Sequence, residues 1–485
     1  MTDARPIAAA APPKASWADL FRDGRAAYST MVIVGVAVHA LQILVIAIIM
    51  PTVVHDIGGA AYYTWAAMAY TIGSIVGAAG VGPVWAAFGR RRGYALSAFL
   101  LLVGTTGCAL APDMAWLIVA RSVQGLAGGL VVGGGMSLVG GLFSDALRRR
   151  ILAMYQGTWM VAQLFGPVVG GAFAEIGWWR GSFWTMVPVI LTFAVLAWLR
   201  LPEGDERKSA EDAIRKFPIV RLAMLGTGVF TMALAGAVSD GLLRTALIVG
   251  ALALLALTFR LDTAAENRLY PSGAFSARSP VGLALWILFS VGMVQTSVTL
   301  FLPLLLQVVH GVSPLFISFV SIVISGGWTV GTFLVSGWSG ARERFALWVG
   351  PLLMIVGLVG VTATAQMPVL VVLTLAAFIQ GFGAGTHNVH LLARTMANAA
   401  PGEEGITAAA MPSIRSLGTA FGAATAGLLA NVAGLGDAVE PAAVGNAITV
   451  VYGFALLPLT VAALFMFRLV RLGAPARAAG EAAAS

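Results

Sequence analysis

The chain has 485 residues, 59% hydrophobic and only 10% charged, with a formal net charge of +8. No soluble core of this length hides that much apolar surface, so the expected class is an all-α polytopic membrane protein. The basic excess does not point to nucleic acid, because Lys and Arg lie in short segments between apolar runs, where they orient a membrane protein.

Residues 1–29 are expected to be a cytoplasmic tail, Ala/Pro-rich over 1–15 and without a cleavable-signal pattern. Trp17, Leu20 and Phe21 there either share one face of a short interfacial helix or belong to a disordered tail. A span needs about 20 apolar residues. Fourteen are predicted, at 30–54, 62–86, 93–111, 115–143, 151–174, 183–201, 219–238, 242–260, 281–306, 314–338, 345–364, 368–392, 404–430 and 446–468. The first six make an N-terminal bundle over 30–201. A charged linker, 202–218, separates it from an inserted helix pair at 219–260 and a second linker at 261–280. The C-terminal six-helix bundle covers 281–470, and 471–485 is a tail. Without the inserted pair the chain is six plus six, two halves on one plan. With the N-terminus inside, 25 of the 29 Lys and Arg residues fall on the inner side. Both termini are therefore expected in the cytoplasm, in a bacterial-type inner membrane.

Cys108 is the only cysteine, which excludes an internal disulfide and a cysteine metal cluster. No nucleophile–base pair, metal-ligand spacing or phosphate-binding loop is present, so neither an enzyme nor a cofactor is expected. Small residues recur every four positions on the second, fifth, eighth and eleventh helices, numbered without the pair. Examples are Ser74/Ala78/Gly82, Gly166/Gly170, Gly327/Gly331 and Gly418/Gly422. Each stripe alone could be ordinary membrane packing; four at every third helix suggest faces on which two halves slide. Pro167 bends the fifth helix at such a face.

Polar groups concentrate on the first, fourth, seventh and tenth helices: His39 and Gln42; Arg121 and Gln124; Gln295; Gln380, His387, Asn388 and His390. An arginine at mid-helix costs roughly 3 kcal/mol on insertion scales, so these groups should face a polar cavity, with Arg415 of the eleventh helix at its edge. Arg121, Gln124, Gly125 and Gly128 share one helical stripe. His387 and His390, three residues apart, are expected on one face, as proton or substrate ligands or as packed side chains.

These residues resemble the major facilitator superfamily, specifically its fourteen-helix drug:proton antiporter branch, over about residues 30–470. Arg121-x-x-Gln124-Gly125 is similar to the family's arginine motif, which the resemblance associates with proton movement. Gly157, Ala162, Gly166-Pro167 and Gly170-Gly171 resemble the antiporter motif. Gly89-Arg90-Arg91 resembles the end of the family's gate loop. The resemblance implies two rocking bundles, gated at Gly166, Pro167, Gly170, Gly89, Arg90 and Arg91, with small-molecule and proton partners in a monomer.

Three departures set this chain apart. Ala86 and Ala87 replace the acid and first arginine of the gate loop, Gln42 stands where the branch carries an aspartate, and no carboxylate lies mid-span. The cavity is then neutral to positive, which favours an anionic, zwitterionic or neutral amphiphile over a quaternary cation. The expected function is proton-coupled export by alternating access. The alternative is an uncoupled facilitator or importer on the same fold.

Overall fold

The computed structural model describes residues 17–22, 25–142, 145–201, 217–435 and 440–472; the tail and linker assignments at 1–16, 202–216 and 473–485 fall outside them. Regular structure among the described residues is helical. α1 is Ala26–Ile57; α2 is Trp65–Ala79, continued past Gly80 as Val81–Phe88; α3 is Arg90–Ala109 and α4 Met114–Leu142. α5 is Asp145–Glu175, and α6 is Gly181–Trp184 with Met186–Arg200. The inserted pair is α7, Ile219–Ala237, and α8, Gly241–Ala264. Then come α9 Pro280–Leu304, α10 Pro314–Val335, α11 Ala341–Thr364, α12 Leu370–Ala397, α13 Glu404–Val432 and α14 Pro441–Arg471. The predicted spans fall mainly on helical residues, those at 62–86 and 183–201 on two helical segments each. Ten runs among the described residues are long and apolar enough to cross a membrane by length and composition.

The helix starts are written in the sequence. Asp240, Ser279 and Ser313 accept hydrogen bonds from the backbone N–H groups of Leu243, Gly282 and Phe316. Pro280 and Pro314 sit in first turns, where a missing N–H costs nothing. Gly89, at φ +78°, makes the sharp α2–α3 turn that a side chain would strain.

The halves repeat one packing pattern. Gly125 and Gly129 of α4 lie on the backbone of Tyr70 and Ser74 in α2; Gly381 and Gly385 of α12 lie on Ile324 and Trp328 in α10. Gly104 of α3 abuts the backbone of Gln124, and Gly357 of α11 abuts that of Gln380. The small-residue stripes serve mainly this packing rather than the sliding faces expected of them. Gly327 and Gly331 meet Phe378 and Phe382 of α12, Gly418 and Gly422 meet Phe289 and Met293 of α9, and Ser74 and Ala78 meet Gly129. All are contacts inside one bundle, where backbones approach most closely.

Successive helices run antiparallel, so their connections fall at two ends. The near end carries the starts of α1, α3 and α5; the far end carries the turns after α1, α5 and α9. The halves meet along α5–α10 and α2–α13. At the far end, Ser318 Oγ donates to the Pro167 carbonyl at 2.6 Å and Leu315 N to Glu175 Oε2 at 3.0 Å. Tyr63 OH donates to the Leu300 carbonyl at 3.1 Å, and Asn431 Nδ2 to the Ala61 carbonyl at 2.7 Å. One hydrophobic core joins the far-end parts of α1–α6 (Ile49, Met114, Phe183) to the second half. Near-end residues of the first half have separate cores, around Trp85, Tyr94 and Phe193 and around Leu20 and Ile151. The bundles are thus joined at the far end and part toward the near end.

The inserted pair is tied at its base to the second half. Arg221 forms a buried ion pair with Asp262 and also donates to Asn267. In the following loop, Ser272 donates to Glu403, and burial pushes the Tyr270 hydroxyl up to about 12 beside Ser413. Higher up, α7 packs on α13, with Gly236 against Leu428, and reaches α2, with Gly226 against Ile72 and Phe230 ringed against Trp65 at 6.0 Å. At the N-terminus, Leu20 is buried while Trp17 and Phe21 are exposed, so the three do not share one face. Ser29 Oγ fixes that turn through the Leu20 carbonyl at 2.7 Å.

Candidate transport site

Arg121 is fully buried. Its Nη1 donates to Gln124 Oε1 at 2.5 Å and to the Gln42 carbonyl at 3.2 Å, and its Nε to the Ala66 carbonyl at 3.1 Å. The guanidinium lies 4.2 Å from the Tyr70 ring centroid. Gln124 Nε2 donates to Thr105 Oγ1 at 2.9 Å, and Gln42 Nε2 reaches the same oxygen at 3.4 Å. Tyr70 OH is 2.9 Å from His39 Nδ1, and the His39 ring meets Trp159 of α5 edge-on at 6.1 Å. A buried cation is tolerated only where acceptors replace its hydration; carbonyls and an amide do so here. The predicted stripe explains the fit: a Cβ at Gly128 would lie 2.6 Å from Tyr70 OH and 2.9 Å from His39 Nδ1.

The second half holds a different arrangement. Arg415 is half-buried on α13, with Nη1 3.2 Å from Asn388 Oδ1 of α12 and its cation 4.8 Å from the Trp328 ring centroid of α10. Among the described residues, no carboxylate forms an ion pair with it. His387 Nδ1 donates to the Gly383 carbonyl at 2.9 Å on its own helix, and the ring lies against Gly350 of α11. His390 Nε2 is bonded to the Val335 carbonyl at 2.9 Å, at the end of α10. The two histidines therefore face different neighbours rather than one shared face, and both are buried. Gln380 is buried with neither amide atom bonded, and Gln295 is half-buried with Oε1 unbonded.

The single polar cavity expected from the sequence is thus resolved into two groups. Arg121, Gln124 and Gln42 make a core network inside the first bundle, with His39 on its edge. Arg415 and Asn388 form the half-buried polar group of the second bundle. Of the expected gating residues, Gly166 and Gly170 pack on α1, against Leu41, Leu44 and Val45, while the Pro167 carbonyl is held across the seam by Ser318. Arg90 stacks over Trp85 at 5.6 Å and Arg91 over Trp198 of α6 at 4.9 Å. Two cavities of about 500 and 270 Å³ lie on the flanks, between α11 and α14 and between α1 and α6, not between the bundles. Sequence reasoning missed Tyr70, Trp159 and Trp328, since an aromatic residue in an apolar helix looks like core. Gly128, which leaves room for a bulky partner, was the available signal for Tyr70.

A helical bundle of repeated halves, joined at one end and parting toward the other, with polar groups on facing helices, defines a multi-pass membrane transporter rather than an enzyme. The model of the Major Facilitator Superfamily matches residues 32–423, and the chain belongs to that family. It is 31% identical over 428 residues to the Mycobacterium tuberculosis protein named "Probable multidrug-efflux transporter Rv1634", covering 86% of this chain and 90% of that one. It is 30% identical over 295 residues to the efflux pump dotC of Dothistroma septosporum, covering 58% of this chain and 49% of that one. Among solved structures, a D-xylose-proton symporter superposes with a TM-score of 0.61 at 17% identity, covering 92% of this chain and 98% of that one, a likeness of fold.

Proposed function

We propose that the protein is a fourteen-span, proton-coupled exporter of amphiphilic compounds, with anionic, zwitterionic or neutral cargo. It works as a monomer in the inner membrane, by alternating access, with both termini cytoplasmic. The observation that carries the cargo class is Arg415, half-buried between Asn388 and Trp328 with no carboxylate paired to it among the described residues. Such a group attracts a carboxylate or sulfonate and repels a quaternary ammonium, while Trp328 offers an apolar face. Export is the reading that family membership and the multidrug-efflux relative support. Proton coupling is assigned to His39, whose ring Tyr70 joins to the buried Arg121 network. The far-end closure is then the state open to the cytoplasm.

The test is binding and proton flux with acidic, zwitterionic and cationic amphiphiles in proteoliposomes. Arg415→Ala should weaken the acidic probe about tenfold, the weight of one hydrogen bond to a charged group, and leave the cationic probe unchanged. Substrate-driven proton flux that survives His39→Ala intact would rule out the coupling assignment. A second reading, an uncoupled facilitator or importer, is favoured by Gln42 in place of the branch's aspartate. Transport indifferent to collapse of the proton gradient would select it.

A further inference from the structure

The two seams between the halves are not equivalent. Along α2–α13, the inserted α7 packs against both partners, with Gly226 on Ile72 and Gly236 on Leu428, and buries Leu225, Val229 and Met232 there. Ile72 is only 5% exposed, although it lies on the outer side of its helix relative to α4. Among the described residues the inserted pair makes no comparable contact with the opposite seam, α5–α10, where α1 is the helix that meets both partners.

That seam opens progressively. On α5, Gly171, Leu164, Met160 and Gly157 share one helical stripe, at steps of seven, four and three residues, and Gly171 at its far end meets α10. Gly171 is in tight contact with Ser318 and Leu315. Leu164 is half-buried, Met160 is 38% exposed, and a Cβ on the half-buried Gly157 would meet nothing within 4 Å. On α10 the same progression runs from the fully buried Ser318 to the half-buried Ile322, Ser325 and Thr329. Over fourteen residues, roughly 21 Å of helix, contact gives way to a gap. Beside it stand two half-buried tryptophans, each backed by a polar group: Trp159 by His39, and Trp328 by Arg415.

We infer that the near-end part of the α5–α10 seam is a one-sided lateral portal, through which a membrane-dissolved amphiphile with an acidic head passes from one leaflet to Arg415. The inserted pair closes the corresponding route at α2–α13. This rests on the proposed reading of the cleft and adds the route and the reason for the inserted helices. The chain body slides between Trp159 and Trp328 while the head exchanges hydration for the guanidinium, so the charge never crosses open hydrocarbon unpaired.

The test uses full-length protein carrying Cys108→Ser, reconstituted in vesicles of phosphatidylcholine with or without brominated acyl chains, and a dansyl-labelled dodecanoic acid as probe. Bimane attached at Met160→Cys should be strongly quenched by brominated lipid, and bimane at Ile72→Cys, beneath Gly226 on the covered seam, hardly at all. Gly157→Trp, which fills open space, should slow probe association from the bilayer about tenfold, with equilibrium affinity nearly unchanged. The same substitution at Gly82, also open but on α2, should leave the rate alone. Equal quenching at both seams, or a rate indifferent to Gly157→Trp, overturns the portal. Probe binding indifferent to Arg415→Ala overturns the reading of the cleft instead, and the quenching comparison still judges the portal.

Discussion

At the scale of single residues, the first bundle is organised by one guanidinium. Arg121 satisfies a side-chain amide and two carbonyls from two other helices, so its removal strands acceptors that no water reaches. Arg121→Met should lower stability by about 1–3 kcal/mol, read as a reduced thermal midpoint in detergent; an unchanged midpoint would show that the network contributes nothing to the fold. The sequence made Arg121 and Gln124 conspicuous, because charge and amide are costly in an apolar helix. It could not show that they are sealed in a core while Arg415 is half-exposed. That difference depends on which neighbours supply carbonyls, and carbonyls are present at every residue. His387 and His390 were misleading for the same reason: three-residue spacing puts two side chains near one another but does not decide which adjoining helix each one meets.

Among the elements, the all-helical class and the starts of several helices were legible because apolar runs, capping Ser and Asp, and Pro in first turns are local signals. The stripes of small residues were legible as close contacts, but their partners were not. The same glycine spacing suits a fixed contact inside a bundle and a moving one between bundles. Gly129 and Gly157 separate the two cases. A side chain at Gly129 would collide with the Ser74 carbonyl, whereas Gly157 faces open space. Gly129→Val should abolish accumulation of folded protein, while Gly157→Ala should express and unfold like the parent, as followed by size-exclusion chromatography and thermal melts. Normal behaviour of Gly129→Val would show that the α2–α4 contact is not required for folding.

For the whole molecule, the far-end closure rests on few polar contacts. Glu175 accepts from the Leu315 N–H in the first turn of α10, where negative charge favours the positive helix end. Glu175→Gln removes that charge, worth about 0.3–1 kcal/mol. Modification of a Thr64→Cys side chain, buried beneath Gly427 at the far-end seam, should then proceed roughly two- to fivefold faster with an impermeant maleimide, the same energy expressed as a population. An unaltered rate removes Glu175 from the closure. The repeated packing also lets the halves be compared position by position. Ala377 occupies the place in the second half that Arg121 holds in the first, and Gln380 that of Gln124, stranded without a bond. The two halves thus keep one packing plan with unequal contents: the first seats an ionic anchor at this level, and Gln380 of the second stands without the partner that Arg121 gives Gln124.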